Sequence, residues 1–400
     1  MIRRIYEETL NEEGFNWNTM LFLMGARQVG KTTVAKSIAA NFKRKEYFNW
    51  DVYEHRKKIL SGQKFIEAIF PLEIPGEKPL IIFDELHKFS DWKNYIKGFY
   101  DLYKDYYNII VTGSARLNIF QKGGDSLMGR YFSYTVSPFS VGEISANPLY
   151  GLFRKPSLIS QDNYEALYNY GGFPAPYIKR SKKGYLQWKR SRISQLFRED
   201  VRDLTNIKEV SKLELCAQLL EYQSSNILNR TTISKHIQVS IPTVNTWIET
   251  LKQFYYVFTI QPWAKNIPHS LIKEPKIFLN DWSFVEDIGK RFENFIATHL
   301  KKSVDFWSET GMGEFELYYL RDKKQREVDF LVTKDGSPWM LVEAKTSVQS
   351  ASKNLYYYRD LLNVPYAFQV TKNMEYVDYD CFSKEGVFIV SAKTFLSQLP

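Results

Sequence analysis

The sequence predicts an α/β protein that opens on a parallel sheet, continues through a helical and winged-helix segment, and ends in a second α/β unit. Three observations carry this reading. Short apolar runs at Met20–Met24, Tyr47–Trp50, Pro79–Phe83 and Asn108–Val111 alternate with stretches of helical spacing, the pattern of a parallel sheet covered on both faces. Polar residues stop three of these runs: Asp51, then Asp84 with Glu85, then Thr112. Such stops fall at the carboxyl ends of strands, where open α/β sheets gather their chemistry. From about residue 280, helix and strand patterns alternate again.

The first run leads into Gly25, Ala26, Arg27, Gln28, Val29, Gly30, Lys31 and Thr32, followed by Thr33 and a helical pattern through Val34, Ala35, Ile38 and Ala39. Strand, glycine-bounded loop and helix in this order form the phosphate-binding P-loop, GxxxxGK followed by Ser or Thr. The glycines let backbone N–H groups curl around phosphate oxygens. Lys31 would reach the β and γ phosphates, and the Thr32 hydroxyl would ligate magnesium at a helix N-terminus. Leu80 to Phe83 then run directly into Asp84 and Glu85. An apolar strand ending in two acids supplies the other half of such a site, with Asp84 holding magnesium and Glu85 orienting or deprotonating the attacking water. The expected ligands are therefore ATP and Mg2+. The fourth run ends in Thr112, Gly113, Ser114, Ala115 and Arg116, so Thr112 or Ser114 is expected to sense the γ-phosphate. Arg116 and Arg130 are candidates for stabilising transferred charge, in cis or from a neighbouring copy in a homo-oligomer. The plainer alternative for each arginine is a surface ion pair.

Bulk properties set the frame for these motifs. A chain of 400 residues exceeds one ordinary core. Its boundaries are expected near 150, 211 and 279, giving a P-loop domain (1–150), a helical connection (151–211), a winged helix-turn-helix (212–279) and a final α/β domain (280–400). With 44% apolar and 25% charged residues the composition is globular. No apolar run reaches the eighteen or so residues of a membrane span, and the N-terminus turns acidic where a signal peptide would be apolar, so no membrane partner and a cytoplasmic location are expected. Cys216 and Cys381 are the only cysteines, which argues against a disulfide framework or a zinc site. The net charge of +9 permits a polyanionic partner without requiring one.

GARQVGKTT, IIFDELHKFSDW, VTGSARLNIF, SLMGRYFSYTVSPFSVGEI and YGGFP occur in that order. This set resembles the prokaryotic AAA+-type ATPases that join an AAA_14 P-loop module to a DUF4143 C-terminal region, and the likeness spans most of the chain. It implies an AAA+-type fold with ATP binding and hydrolysis. Arg198 and Arg202 are the nearest candidates for a second sensor arginine.

Excess positive charge gathers between Lys179 and Arg198, with Lys182, Lys183, Lys189 and Arg190 among Tyr185 and Trp188. Such a mixture suits phosphate contacts and stacking, or a solvated helix face. Downstream, Thr231 or Thr232 is expected to cap a short helix bearing Ile233 and Ile237. Val239 and Ser240 make a turn, and Pro242 opens a second helix with Val244, Trp247, Ile248 and Leu251 inward. Thr243, Asn245 and Thr246 would then face outward to DNA, unless the module serves only packing or dimerisation.

In REVDFLVTKDGSPWMLVEAK two strands joined at Asp335 and Gly336 would bring Asp329 beside Glu343 and Lys345, with Glu293 on a preceding helix. Two carboxylates and a lysine can organise a metal-bound water against phosphate. The set resembles the core of PD-(D/E)XK nucleases, which implies Asp329 and Glu343 as ligands of a second Mg2+ or Mn2+, Lys345 as catalytic lysine and Glu293 as a supporting acid. Three functions stand: an ATPase acting on or controlled by DNA, a nucleotide switch for a protein assembly with an inactive nuclease-like domain, or an ATP-gated, metal-dependent DNA nuclease.

Overall fold

The computed structural model describes residues 2–12, 14–72, 77–114, 127–145, 147–202, 207–263 and 274–400. The chain divides into two compact units, Arg3–Ser137 and one that contains Pro138–Pro400.

In the first unit a helix α1 (Ile5–Glu12) precedes β1 (Met20–Met24), α2 (Lys31–Ala39), β2 (Lys45–Asn49), α3 (Tyr53–Leu60), β3 (Leu80–Asp84), α4 (Trp92–Tyr103), β4 (Asn108–Thr112) and β5 (Tyr131–Thr135). The strands form one parallel sheet in the order β2-β3-β4-β1-β5. Central strands β1 and β3 are buried at every residue, which is why they read as unbroken apolar runs. Edge strand β2 buries only Phe48 fully, so it begins two residues before the run at Tyr47 that marks it in the sequence. Edge strand β5 buries only Tyr134 fully and leaves no apolar run to find. On α4 the buried Trp92, Tyr95, Ile96, Phe99, Tyr100 and Tyr103 recur at helical spacing. Phe83 meets Phe99 edge-on at 5.0 Å between ring centroids, locking the helix to β3.

The second unit opens with α5 (Val141–Ser145), the short strands β6 (Leu149–Tyr150) and β7 (Phe153–Arg154), and helices α6 (Gln161–Tyr170), α7 (Pro174–Lys179), α8 (Lys182–Gln195) and α9 (Val210–Tyr222). Two further helices, α10 (Arg230–Ile237) and α11 (Ile241–Gln253), are joined by a tight turn in which Gln238 is left-handed. Ile233, Ile237, Val244, Trp247, Ile248 and Leu251 are buried as their spacing requires. The cap of α10 is Asn229, whose side chain accepts from Thr232 N at 2.9 Å, rather than Thr231 or Thr232. Asparagine accepts at this position at least as well as threonine.

Strands β8 (Val257–Pro262), β9 (Lys276–Leu279), β10 (Phe315–Arg321), β11 (Glu327–Lys334), β12 (Ser337–Lys345), β13 (Tyr366–Thr371) and β14 (Gly386–Ser391) form a seven-stranded mixed sheet, ordered β14-β13-β12-β11-β10-β8-β9. The strand that follows α11 therefore joins the sheet of the C-terminal region, through Tyr318 opposite Gln261 and Tyr319 opposite Pro262. Residues on either side of position 279 share one sheet because pairing β8 with β10 satisfies backbone groups that a free edge would expose. Helix α12 (Ile288–Glu309) lies against β9 to β12, and α13 (Lys353–Leu362) and α14 (Ala392–Ser397) cover the remaining strands.

The turn GGFP at Gly171 is a packing corner. A Cβ on Gly171 would lie 2.4 Å from Asp281 Oδ1, and one on Gly172 would lie 2.7 Å from Phe139 O. Beside it, α12 carries a buried ion pair into the core. Lys302 Nζ lies 2.5 Å from Glu143 Oε2 and donates to Pro138 O and Ser140 Oγ, each at 3.1 Å. His299, one turn away, accepts from Val141 N through Nε2 at 3.1 Å, and burial chiefly pushes its pKa down to about 3, keeping it neutral. Lys302→Met strands the Glu143 charge and should lower the unfolding free energy by about 3–5 kcal/mol in urea titrations. Lys302→Met combined with Glu143→Leu should recover most of that loss, and a double variant as unstable as the single one would contradict the assignment.

Candidate functional site

The loop between β1 and α2 is shaped by backbone that side chains would block. Gly25 has φ +142°, and a Cβ there would lie 2.3 Å from Val136 O. Gly30 enters α2 at φ 105°. Ala26 and Val29 are buried while Arg27, Gln28 and Thr33 are exposed, so the apolar members anchor the loop and the polar ones face outward. Lys31 is 6% exposed, and its ammonium donates to Gly25 O at 3.0 Å and Ala26 O at 2.9 Å. The lysine is thus held inside the curl of backbone where triphosphate oxygens would compete for it.

Asp84, at the end of β3 and 2% exposed, collects hydroxyls from three elements. Thr32 Oγ1 donates to Oδ2 at 3.0 Å. The Tyr47 hydroxyl, from β2, donates to the same oxygen, and Thr112, from β4, donates to Oδ1. Burial, and then the hydrogen bond to Asp84, push the Tyr47 phenol well above its ordinary range, so it stays a donor. Parallel register makes this convergence possible, since Asn49 pairs with Asp84 and Asp84 with Thr112 across the sheet. A hydroxyl and a carboxylate together are the hard oxygen donors that magnesium prefers, and Thr32 with Asp84 fit that ion. Sequence reasoning missed Tyr47, whose only signal is its place on a neighbouring strand two residues from the carboxyl end.

Glu85 follows in a left-handed conformation, φ 56°, with His87 Nε2 at 3.6 Å and Lys88 Nζ at 3.5 Å from its carboxylate. Lys88 also binds Asp51 Oδ2 at 2.6 Å. His87 Nε2 lies 3.2 Å from Ser114 Oγ. Of the two expected phosphate sensors, Thr112 thus spends its hydroxyl on Asp84, while Ser114 meets His87.

Arg130, the candidate for stabilising charge in cis or from a neighbouring copy, makes the ion pair named as its plainer alternative. Arg130 precedes β5, its carbonyl accepts from Met20 N at the start of β1, and its guanidinium binds Asp101 at 2.8 and 3.3 Å. It lies at the amino edge of the sheet, whereas the phosphate loop lies at the carboxyl edge, some 15 Å of strand away. Arg116 falls outside the described residues.

In the second unit the C-terminal acids do come together, around a lysine that the sequence reading did not single out. Lys276 Nζ, from β9, lies 2.9 Å from Glu293 Oε1, 2.6 Å from Glu327 Oε1 and 3.7 Å from Asp329 Oδ1. Asp329 Oδ2 accepts from Ala344 N at 2.9 Å, and Lys345 Nζ lies 2.7 Å from Glu343 Oε1. Glu343 Oε2 is buried without a hydrogen-bond partner among the described residues. The Glu293 carboxyl is pushed up, first by burial, against the pull of Lys276. Burial, then Asp329, push Glu343 up to about 7. The ammonium of Lys276 occupies the middle of three carboxylates, and among the described residues no group of three or more His, Cys, Asp or Glu is arranged to hold a metal ion.

Of the basic run, Lys182, Lys183 and Arg190 are exposed. Lys189 instead is half-buried, 4.3 Å above the Phe284 ring and 3.9 Å from Glu221 Oε2. Asn245 and Thr246 are exposed and Thr243 half-exposed on α11. Thr243 N donates to Ser240 Oγ at the cap, and Thr246 Oγ1 donates to Pro242 O. No helix among the described residues is long and apolar enough to cross a membrane.

Residues 18–145 match the AAA domain family AAA_14. Residues 161–291 match a domain of unknown function, DUF8612, and residues 288–393 another, DUF4143. Among solved structures the chain is similar to the Walker-type ATPase of Pyrococcus abyssi, at 16% identity and a TM-score of 0.46, covering 71% of this chain and 95% of that one. It is similar to a STAND signal-transduction ATPase with a tetratricopeptide repeat sensor from Pyrococcus horikoshii, at 12% identity and a TM-score of 0.26, covering 77% and 47%. A third similarity is to the Drosophila ORC bound to AT-rich DNA and Cdc6, at 10% identity and a TM-score of 0.25, covering 68% and 87%. No curated protein matches. The family match and the geometry agree that the first unit carries an AAA-type P-loop ATPase domain.

Two substitutions test the geometry. Gly25→Ala places a Cβ against Val136 O in a strained conformation and should cost roughly 1–3 kcal/mol of stability, read by thermal unfolding. A variant as stable as the parent would mean that the loop takes another path. For Glu343, both folded and unfolded chains hold the proton below the ordinary carboxyl value. As pH rises through about 7 the folded chain releases it later than the unfolded one, so the ionised carboxylate subtracts stability. Glu343→Gln should therefore raise Tm relative to the parent at pH 8 and leave it nearly unchanged at pH 4.5, whereas an equal loss at both pH values would contradict the shift.

Proposed function

We propose that the chain is a magnesium-dependent ATPase whose nucleotide state governs how its Pro138–Pro400 unit engages DNA. One observation carries the first half: Lys31, Thr32 and Asp84 converge at the carboxyl edge of the sheet with Glu85 next in sequence. Lys31 exchanges the Gly25 and Ala26 carbonyls for β and γ phosphate oxygens. Thr32 and Asp84 hold Mg2+, which supplies neutralising charge to the phosphates. Glu85, on leaving Lys88, accepts a proton from the attacking water and orients it in line. Tyr47 and Thr112 keep the Asp84 carboxylate aimed throughout.

DNA engagement rests on the outward residues Thr243, Asn245 and Thr246 of a winged-helix arrangement and on the exposed Lys182, Lys183 and Arg190. The C-terminal sheet is read as a PD-(D/E)XK-like domain that does not cleave, because Lys276 already pairs with Asp329 and Lys345 with Glu343, the two acids a second Mg2+ or Mn2+ would need. Subunits in a homo-oligomer remain the available source of a charge-stabilising arginine.

Lys31→Ala should reduce ATP turnover by roughly a hundredfold or more with little change in Tm, and unaltered turnover would remove the assignment. Duplex DNA at low salt should bind and raise turnover, with affinity falling steeply as salt rises. No affinity at low salt would instead favour a switch acting on a protein assembly. Metal-dependent nicking by the intact chain that disappears in Asp329→Ala would refute the non-cleaving reading.

A further inference from the structure

Helix α1 is no part of the P-loop motif, yet the residue before it reaches the phosphate loop. Ile5, Tyr6 and Leu10 are buried, and Tyr6 meets Tyr134 of β5 edge-on at 5.8 Å between ring centroids. Glu7, also buried, accepts from Ser37 Oγ of α2 at 2.8 Å. The helix is thus fastened both to the edge strand and to the helix that the loop opens.

Arg4 is 4% exposed, whereas its neighbour Arg3 lies in water. Burying a guanidinium is costly unless its donors are bonded. Arg4 Nη1 donates to Val29 O, inside the loop, at 3.0 Å, and Nη2 donates to Ser137 O, just past β5. The planar fork of a guanidinium holds two such acceptors in a fixed relation, which a flexible ammonium does not. The chain at Val136 and Ser137 runs beside the first residues of the loop: Val136 N donates to Met24 O at 2.7 Å, and Val136 O leaves no room for a Cβ on Gly25. Arg4 therefore bridges from the chain beside the start of the loop to a carbonyl near its end, all within the first unit.

The direction of that carbonyl has a chemical consequence. The peptide bonds of the described residues are trans, so the Val29 C=O and the Gly30 N–H of one planar unit point opposite ways. Drawing Val29 O toward the guanidinium turns the Gly30 N–H away from it. Gly30 is the residue that enters α2, where N–H groups must face an anion for a helix N-terminus to bind it. We propose that Arg4 is a positioning residue for the nucleotide: by fixing the Val29–Gly30 peptide it keeps the Gly30 N–H turned toward the phosphates. The proposal rests on the nucleotide reading of the P-loop and adds a residue outside the motif to it. Without the guanidinium this peptide plane is free to rotate, because glycine adopts either sign of φ, and ordering it again on binding costs affinity.

The test is a calorimetric titration of the full chain with MgADP for the parent, Arg4→Met, Arg4→Lys and Ile5→Ala. Ile5→Ala opens a cavity under the same helix without touching the loop, so it reproduces mere loosening of α1. Partial unfolding lowers the stoichiometry of binding, whereas a misdirected N–H raises Kd. Arg4→Met should raise Kd about tenfold or more at unchanged stoichiometry, the loss of a charge-fixed hydrogen-bond donor. Arg4→Lys, which keeps the charge and lacks the fork, should fall between Arg4→Met and the parent. Ile5→Ala should keep the parental Kd within about twofold even as its Tm falls. If Arg4→Met does not fold, a Kd higher in Arg4→Lys than in Ile5→Ala supports the proposal and equal values overturn it. Parental Kd in both Arg4 variants, or a Kd raised as far by Ile5→Ala as by Arg4→Met, also overturns it. A parent chain that binds no MgADP removes the nucleotide reading itself, and the proposal with it.

Discussion

The candidate ATPase site depends on one convergence, a buried carboxylate at the end of β3 on which hydroxyls from α2, β2 and β4 close. Asp84 is held by the hydroxyls of Thr32, Tyr47 and Thr112. Hydrogen bonds to a carboxylate are stronger than neutral ones, and three of them fix both oxygens. The parallel sheet supplies the geometry, because in-register strands bring Asn49, Asp84 and Thr112 to the same edge. The apolar burial of β1 and β3 and the aromatic packing of α4 hold that edge in place. A site built on strand ends in this way is stiffer than one built on loops alone.

Much of this was legible in the sequence, for reasons that differ by element. Buried central strands announce themselves as apolar runs, and the P-loop constrains residue type at each position, so β1, β3, β4 and the loop could be read directly. Edge strands bury one face only, which hid β5 and the first residues of β2. Tyr47 was invisible as a site residue because nothing in a linear pattern says which strand lies beside β3. The same holds for Arg130: its charge is visible, but its position at the amino edge depends on the pairing of β5 with β1.

The second unit shows the limit more sharply. Pairing of Asp329, Glu343 and Lys345 across a hairpin followed from the turn at Asp335 and Gly336, and the strands do pair that way. The lysine among these acids, Lys276, lies 69 residues upstream of Lys345 in sequence and is brought in because β8 and β9 join the same sheet. A buried ammonium among carboxylates is held by their charge as firmly as they are by it, so the cluster is a structural tie. The basic face of α8 divides likewise, since packing, which the sequence does not display, half-buries Lys189 and leaves its neighbours in water.

The central claim is that Thr32 and Asp84 form a magnesium site linked to nucleotide. The most direct measurement is a calorimetric titration of the chain with ADP, with and without Mg2+, for the parent and for Asp84→Ala. The account predicts that magnesium tightens binding about tenfold or more in the parent and not in the variant. No detectable binding in the parent, or the same magnesium dependence in both chains, would contradict it.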